Sequence, residues 1–154
     1  MAQLSTLGLT PRAMNSPLLP ELSLAPGDYG WTGQLPEEIH RLFGREIGVE
    51  IHTREVPDDP KVLPPVSQSQ AALVGSIKIS LPAILKRVEA EMVEYNQKFD
   101  PDFRGFIKRP HIWLRSSKDD GMSWTFVIGR TDNPDFGYHA EFKGTEFVEL
   151  WSGD

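Results

Sequence analysis

The sequence predicts an α+β fold: an antiparallel sheet of about six strands in the order ββαββββ, with one long, bent helix packed on one face. Three observations carry this. His111 to Trp151 reads as four strands, IWLRS, SWTFVIGR, YHAEF and EFVELW, separated by DDG, DNPDFG and KGT. Each segment alternates and is rich in aromatic and β-branched residues, and each gap holds turn residues. Upstream, Leu73, Ile77, Leu81, Ile84, Val88, Met92, Tyr95 and Phe99 recur at steps of three and four, which keeps them within a sector of about 100° on a helix. Earlier still, Ile47, Val49, Ile51 and Thr53 alternate with Gly48, Glu50, His52 and Arg54, the pattern of a half-buried strand.

Each element follows in order. Residues 1–28 carry Pro11, Pro17, Pro20 and Pro26, a density that blocks helix and central strand. They read as an extended arm whose second half Leu18, Leu19, Leu22 and Leu24 can pin to the domain; 29–154 form a single domain. Tyr29–Thr32 is a short first strand. Pro36–Phe43 reads as one or two helical turns, with Glu37 and Glu38 at the start and Gly44 as the stop, or else as a wide hairpin loop. Residues 57–66 hold four prolines and form a loop. The helix runs from Ser67 or Gln68 to about Lys98. Pro82 bends it without losing the apolar register; the alternative is a break at Ile79 with Ser80 capping a second helix. Asp100-Pro101 ends it, Phe103, Phe106 and Ile107 pack in a connector, and Pro110 opens the strand run.

Two-residue turns set an expected register. Gly144-Thr145 pairs Lys143 with Glu146, Phe142 with Phe147, Ala140 with Glu149 and Tyr138 with Trp151. Asp120-Gly121 pairs Trp113 with Ile128 and Arg115 with Phe126. One hairpin face then carries Tyr138, Phe142, Phe147 and Trp151, with Glu149 as its odd carboxylate. It reads first as core, where that carboxylate needs a partner or a raised pKa, and otherwise as an exposed aromatic patch that meets a partner. The opposite face carries His139 and Glu141. Both sheet faces hold apolar residues, so the arm, the connector or a second molecule must cover what one helix leaves open.

Composition excludes several function classes. The 154-residue chain has a formal net charge of −6, which argues against nucleic-acid binding because phosphate contacts need clustered Lys and Arg. Lys86-Arg87 and Lys108-Arg109 are only pairs. Cysteine is absent, so disulfides, thiolate metal sites and a Cys nucleophile are excluded. No secretory signal and no membrane span is evident. A soluble cytoplasmic protein of bacterial style is the expectation.

No catalytic or cofactor motif stands out. His40, His52, His111 and His139 form neither HExxH nor HxH. His139 and Glu141 share a strand face and seed the best composite ligand site, with Glu91 and Arg115 as neighbours. A satisfied strand histidine and a helix-edge glutamate are the plainer readings. Asp132-Asn133-Pro134-Asp135 lacks EF-hand spacing and suits an Asx-turn. No glycine-rich phosphate loop and no GxSxG is present. No metal and no cofactor are expected.

The WTG at Trp31–Gly33, a strand pair, a long helix reaching Tyr95, WTFV at Trp124–Val127 and GYHAEF at Gly137–Phe142 together resemble small uncharacterised bacterial α+β domains, over residues 29–151. Some of those are regarded as immunity-type or accessory proteins, and the resemblance implies a role in binding one partner. It carries no functional residue onto this chain.

The functional expectation is a non-enzymatic protein-binding module that meets a basic partner or its own copy through Tyr138, Phe142, Phe147, Glu149 and Trp151. The alternative is a small-molecule binder or small hydrolase-like enzyme with a cleft near His139 and Glu141. On the first reading, His139→Ala leaves partner binding intact and Trp151→Ala weakens it.

Overall fold

The computed structural model describes residues 14–16, 19–35, 41–115 and 121–153. Its elements are β1 (Met14–Ser16), β2 (Leu19–Pro26), β3 (Gly30–Gln34), β4 (Arg41–Leu42), β5 (Arg45–Glu46) and β6 (Gly48–His52), then the helices α1 (Gln68–Ile79) and α2 (Leu81–Asn96). β7 (Ile107–Leu114), β8 (Ser123–Arg130), β9 (Gly137–Lys143) and β10 (Glu146–Gly153) complete the chain. Seven strands form the sheet in the order β2-β3-β6-β7-β8-β9-β10, and the three-residue β1 adds an eighth beside β2. The α+β class and the mostly antiparallel pairing hold. The strand count and order do not.

The second half of the expected arm belongs to the sheet. Leu19, Leu22 and Leu24 are buried on β2, which joins β3 through Ala25 and Pro26. Residues 1–13 and 17–18 lie outside the described residues, as do 36–40, which include His40. Where Gly44 was expected to stop a helical turn, Arg41–Glu46 instead make a tight hairpin. Phe43 and Gly44 have φ of 46° and 77°, the two positive values that a type I′ turn requires.

The long helix is two helices. Pro82 has no N–H to continue the backbone ladder, so α1 ends at Ile79 and α2 begins at Leu81, with the proline in its first turn. The apolar register survives the break: Leu73, Ile77, Leu81, Ile84, Val88 and Met92 are all buried. Tyr95 is partly exposed and Phe99, beyond the helix end, is 91% exposed. Ser67 and Gln70 form a reciprocal capping box at the start of α1. The Gln70 amide also donates to the carbonyls of His52 (2.7 Å) and Arg115 (3.2 Å), which fixes the helix start over the ends of β6 and β7.

β6 and β7 run parallel, Gly48 beside His111 and Ile51 beside Leu114, against the expectation of antiparallel pairing throughout. A single helical pass runs back along the sheet and delivers the chain to the end where β6 began, so the strands on either side of that pass point the same way. The helices cover one sheet face, where Val49, Ile51, Ile112, Leu114, Trp124, Phe126, Ile128, Tyr138, Ala140 and Phe142 form the core.

Two registers differ from expectation. Trp113 pairs with Thr125 and Ile112 with Phe126. The register expected from an Asp120-Gly121 turn therefore does not hold, the turn itself lying partly in residues 116–120 outside the described residues. β8 is slid by an odd number of residues, which exchanges its faces. The β9–β10 hairpin starts as expected, Lys143 with Glu146 and Phe142 with Phe147. A bulge at Val148 then sets Glu149 opposite Glu141 and Trp151 opposite His139. The extra residue moves Trp151 and Glu149 off the core face and puts Leu150 opposite Ala140.

Candidate functional site

Period-two alternation assigns the side chains of the second sheet face, which no element covers among the described residues. Two cross-strand rows run over it. The first is Gly48, His111, Val127, His139 and Trp151; the second is Glu50, Trp113, Thr125, Glu141 and Glu149. Most of these are half-buried, although the face meets no helix.

The rows are tied into one chain of contacts. Tyr29 stacks on His52 with ring centres 5.2 Å apart, and His52 meets Trp113 edge-on at 5.4 Å. The Arg115 guanidinium lies 4.9 Å from the Trp113 ring centre and 3.8 Å from the Glu141 carboxylate. Glu141 accepts from the Thr125 hydroxyl and from the Trp151 indole N–H (3.2 Å). Trp151 stacks on His139 at 4.0 Å. On the β6 side, one Glu50 oxygen lies 2.7 Å from His52 Nε2 and the other 3.6 Å from His111 Nε2.

The electrostatics follow from these contacts. The hydrogen bond from His52, reinforced by the charge of His111, holds the Glu50 carboxyl below its ordinary value against an opposing burial effect. Burial pushes the His139 imidazole below its ordinary value, and Glu141 only partly offsets this.

His139, Glu141, Glu149, Trp151 and Arg115 therefore meet on one face. Tyr138 and Phe142 are buried on the other, and Phe147 packs at the margin of that core. The core reading of the aromatic face agrees with Tyr138, Phe142 and Phe147, whereas the Val148 bulge takes Trp151 and Glu149 off it, so the four aromatics make no single exposed patch. Glu91 belongs with none of them. It sits on α2, bonded to Arg87 at 2.7 Å one turn back, with the sheet between it and His139.

Sequence reasoning missed Glu50, His52, His111, Trp113 and Thr125. The alternation in β6 and β7 does place their side chains opposite the core. Their meeting depends on the parallel β6–β7 seam, which no local pattern announces.

The ionisable groups engage one another more than they face an open site. Thr125 is 1% exposed, so its hydroxyl is out of reach of a substrate carbonyl. No group of three His, Asp or Glu among the described residues could hold a metal ion, and no described helix is long and apolar enough to cross a membrane. No family model matches the chain, nor does any curated protein or solved structure.

Proposed function

We propose that the protein is a non-enzymatic binding module, immunity-like or accessory in kind, and that its uncovered sheet face docks one basic protein partner. The observation that carries this reading is the chain Tyr29–His52–Trp113–Arg115–Glu141–Trp151–His139, half-exposed and held in place by its own stacking and hydrogen bonds. Binding hot spots are rich in Trp, Tyr and Arg, and side chains ordered beforehand lose little entropy on docking. A net charge of −6 speeds encounter with a basic partner. Recognition centres on Trp151 and Glu149 together with Trp113 and Arg115. Tyr138 and Phe142 support the face from beneath. His139 and Trp151 form one stack, so the two positions are expected to act together rather than independently.

The test is affinity capture from native lysate, read by mass spectrometry, with the wild type, Trp151→Ala and Phe99→Ala. Phe99 is an exposed aromatic away from this face. The expected result is one stoichiometric basic protein, retained by wild type and Phe99→Ala, lost with Trp151→Ala and released by salt. Equal capture by all three variants would remove the face from recognition. A stable dimer of the purified protein by light scattering, dissolved by Trp151→Ala, would make the partner a second copy.

A further inference from the structure

The uncovered face has a third row with almost no side chains. Lys108, Gly129, Gly137 and Gly153 stand in register across β7, β8, β9 and β10. Gly129 stands one residue from the end of β8, Gly137 opens β9 and Gly153 closes β10. The reasons for glycine in a strand are a positive φ, a crowded Cβ or the close approach of something else, and at a strand end a turn as well. The first reason fails for all three, since the positive-φ glycines among the described residues are Gly44, Gly121 and Gly144. The second fails for two. A Cβ on Gly137 would sit 3.4 Å from His139 Nε2 and 3.5 Å from the Ile128 carbonyl, and one on Gly153 would sit 3.5 Å from the Trp151 ring. Those are ordinary contacts, and only Gly129 is tight, at 3.2 Å from the Lys108 carbonyl. A turn at the strand ends accounts for glycine at one position at a time; the alignment of three in one row points to the close approach of another molecule.

A cleft of about 290 Å³ lies over these glycines, just below the ~300–1,000 Å³ usual for ligand sites and so suited only to a small ligand. Strands stand about 4.8 Å apart, so three glycines bare a strip roughly two spacings wide, flat enough for a ring to lie on peptide planes. Val127 and His139 wall one side, and Pro134 and Phe136 the other. Lys108 and Arg109 close one end; neither side chain has a carboxylate partner among the described residues, whereas Asp135 is the one carboxylate in the lining. Arg109 also has φ of 47° within the β7 bulge. That is an uncommon conformation for a residue with a Cβ, and bulges of this kind re-aim side chains beside binding sites.

We propose that this cleft binds a small planar organic anion, an aromatic carboxylate, lying flat on the glycine strip with its charge at Lys108 and Arg109. The inference goes beyond partner docking and does not depend on it: it concerns a free small molecule, and its test uses the protein alone.

The experiment is a titration of the ¹⁵N-labelled full chain, followed by amide shifts, with benzoate, acetate and benzylamine as probes. Benzoate is expected to give saturable shifts centred on Gly129, Gly137 and Gly153. Acetate lacks the ring and benzylamine carries the wrong charge, so each should bind about tenfold more weakly or worse. A Cβ at Gly137 or Gly153 meets no backbone atom closer than 3.5 Å, so Gly137→Val and Gly153→Val should fill the strip, keep the wild-type melting temperature and lose benzoate binding. Lys108→Gln should weaken it about tenfold while leaving the glycine floor intact, so the proposal stays testable if either valine variant fails to fold. Benzylamine binding as well as benzoate, unsaturable or scattered shifts, or full benzoate affinity in the variants that fold would overturn it.

Discussion

His139 shows how one side chain can make the fold sensitive to pH. Burial against Trp151 holds its imidazole below the ordinary value of about 6.5. The unfolded chain therefore takes up a proton at a pH where the folded chain does not. Stability is full above about 6.5, declines as pH falls from there to the folded-state value, and levels off below it. Glu50 acts in a separate window. Its carboxyl is depressed by His52, so its contribution is present above about 4.3 and is lost as pH falls through the lower folded-state value. His139→Phe keeps a ring against Trp151 and removes the first titration. Melting temperatures measured from pH 8 to pH 5 should fall in the wild type and stay nearly flat in the variant; parallel declines would assign the effect to other groups.

At the scale of an element, the β10 bulge decides what the surface carries. Val148 is the extra residue opposite Phe142 and is exposed. Removing one residue from a regular strand flips every side chain beyond it. Removing Val148 should not, because Glu149 and Trp151 already pair as they would in an uninterrupted ladder. Deletion of Val148 is expected to change stability by less than about 1 kcal/mol and to preserve the Trp151–Glu141 hydrogen bond, seen as an unchanged indole proton shift. Deletion of Val127 in the regular part of β8 should unfold the domain. The strand at Glu146–Trp151 was legible in the sequence from its aromatic and β-branched residues, and so was the register of its first two pairs. The bulge was not, since Val148 stands in an unbroken run of strand residues and nothing local marks it as the extra one. Likewise Pro82 announced a disturbance at the right place, yet periodicity reads the same through a bend and through a break. Glu91 and Arg115 show the same limit for the site: Glu91 lies on its expected helix and Arg115 just past the end of β7, but only the layer arrangement puts the sheet between them.

Across the whole molecule, a buried cation fastens the helical layer to the sheet. Arg130 on β8 donates to both oxygens of Asp132 at 2.8 Å, to Asp100 just past α2 at 2.5 Å and to the Tyr138 hydroxyl at 2.7 Å. Tyr138 in turn donates to Asn96 Oδ1 at 3.1 Å, and the Asn96 amide bonds the Met92 carbonyl at 2.9 Å. Asp132 foremost holds the guanidinium far above its ordinary value, and the guanidinium in return lowers the Asp132 carboxyl. Breaking a fully buried pair costs about 3–5 kcal/mol. Both aspartates here keep access to water, so Arg130→Ala should cost nearer 2 kcal/mol, measured by urea unfolding; a loss below about 0.5 kcal/mol would mean that the clamp is only decorative. The parallel seam has a consequence in time rather than in space. Both flanks of the sheet are stitched from neighbours close along the chain, β3 with β6 on one side and the β7–β10 meander on the other. Only β6 and β7 must find each other across the whole helical crossover. Closing so long a loop is entropically costly, and contacts of this kind slow folding. The two flanks are thus expected to order first and separately, and the face that gathers Glu50, His52 and His111 from opposite sides of the seam comes into being only with the last join.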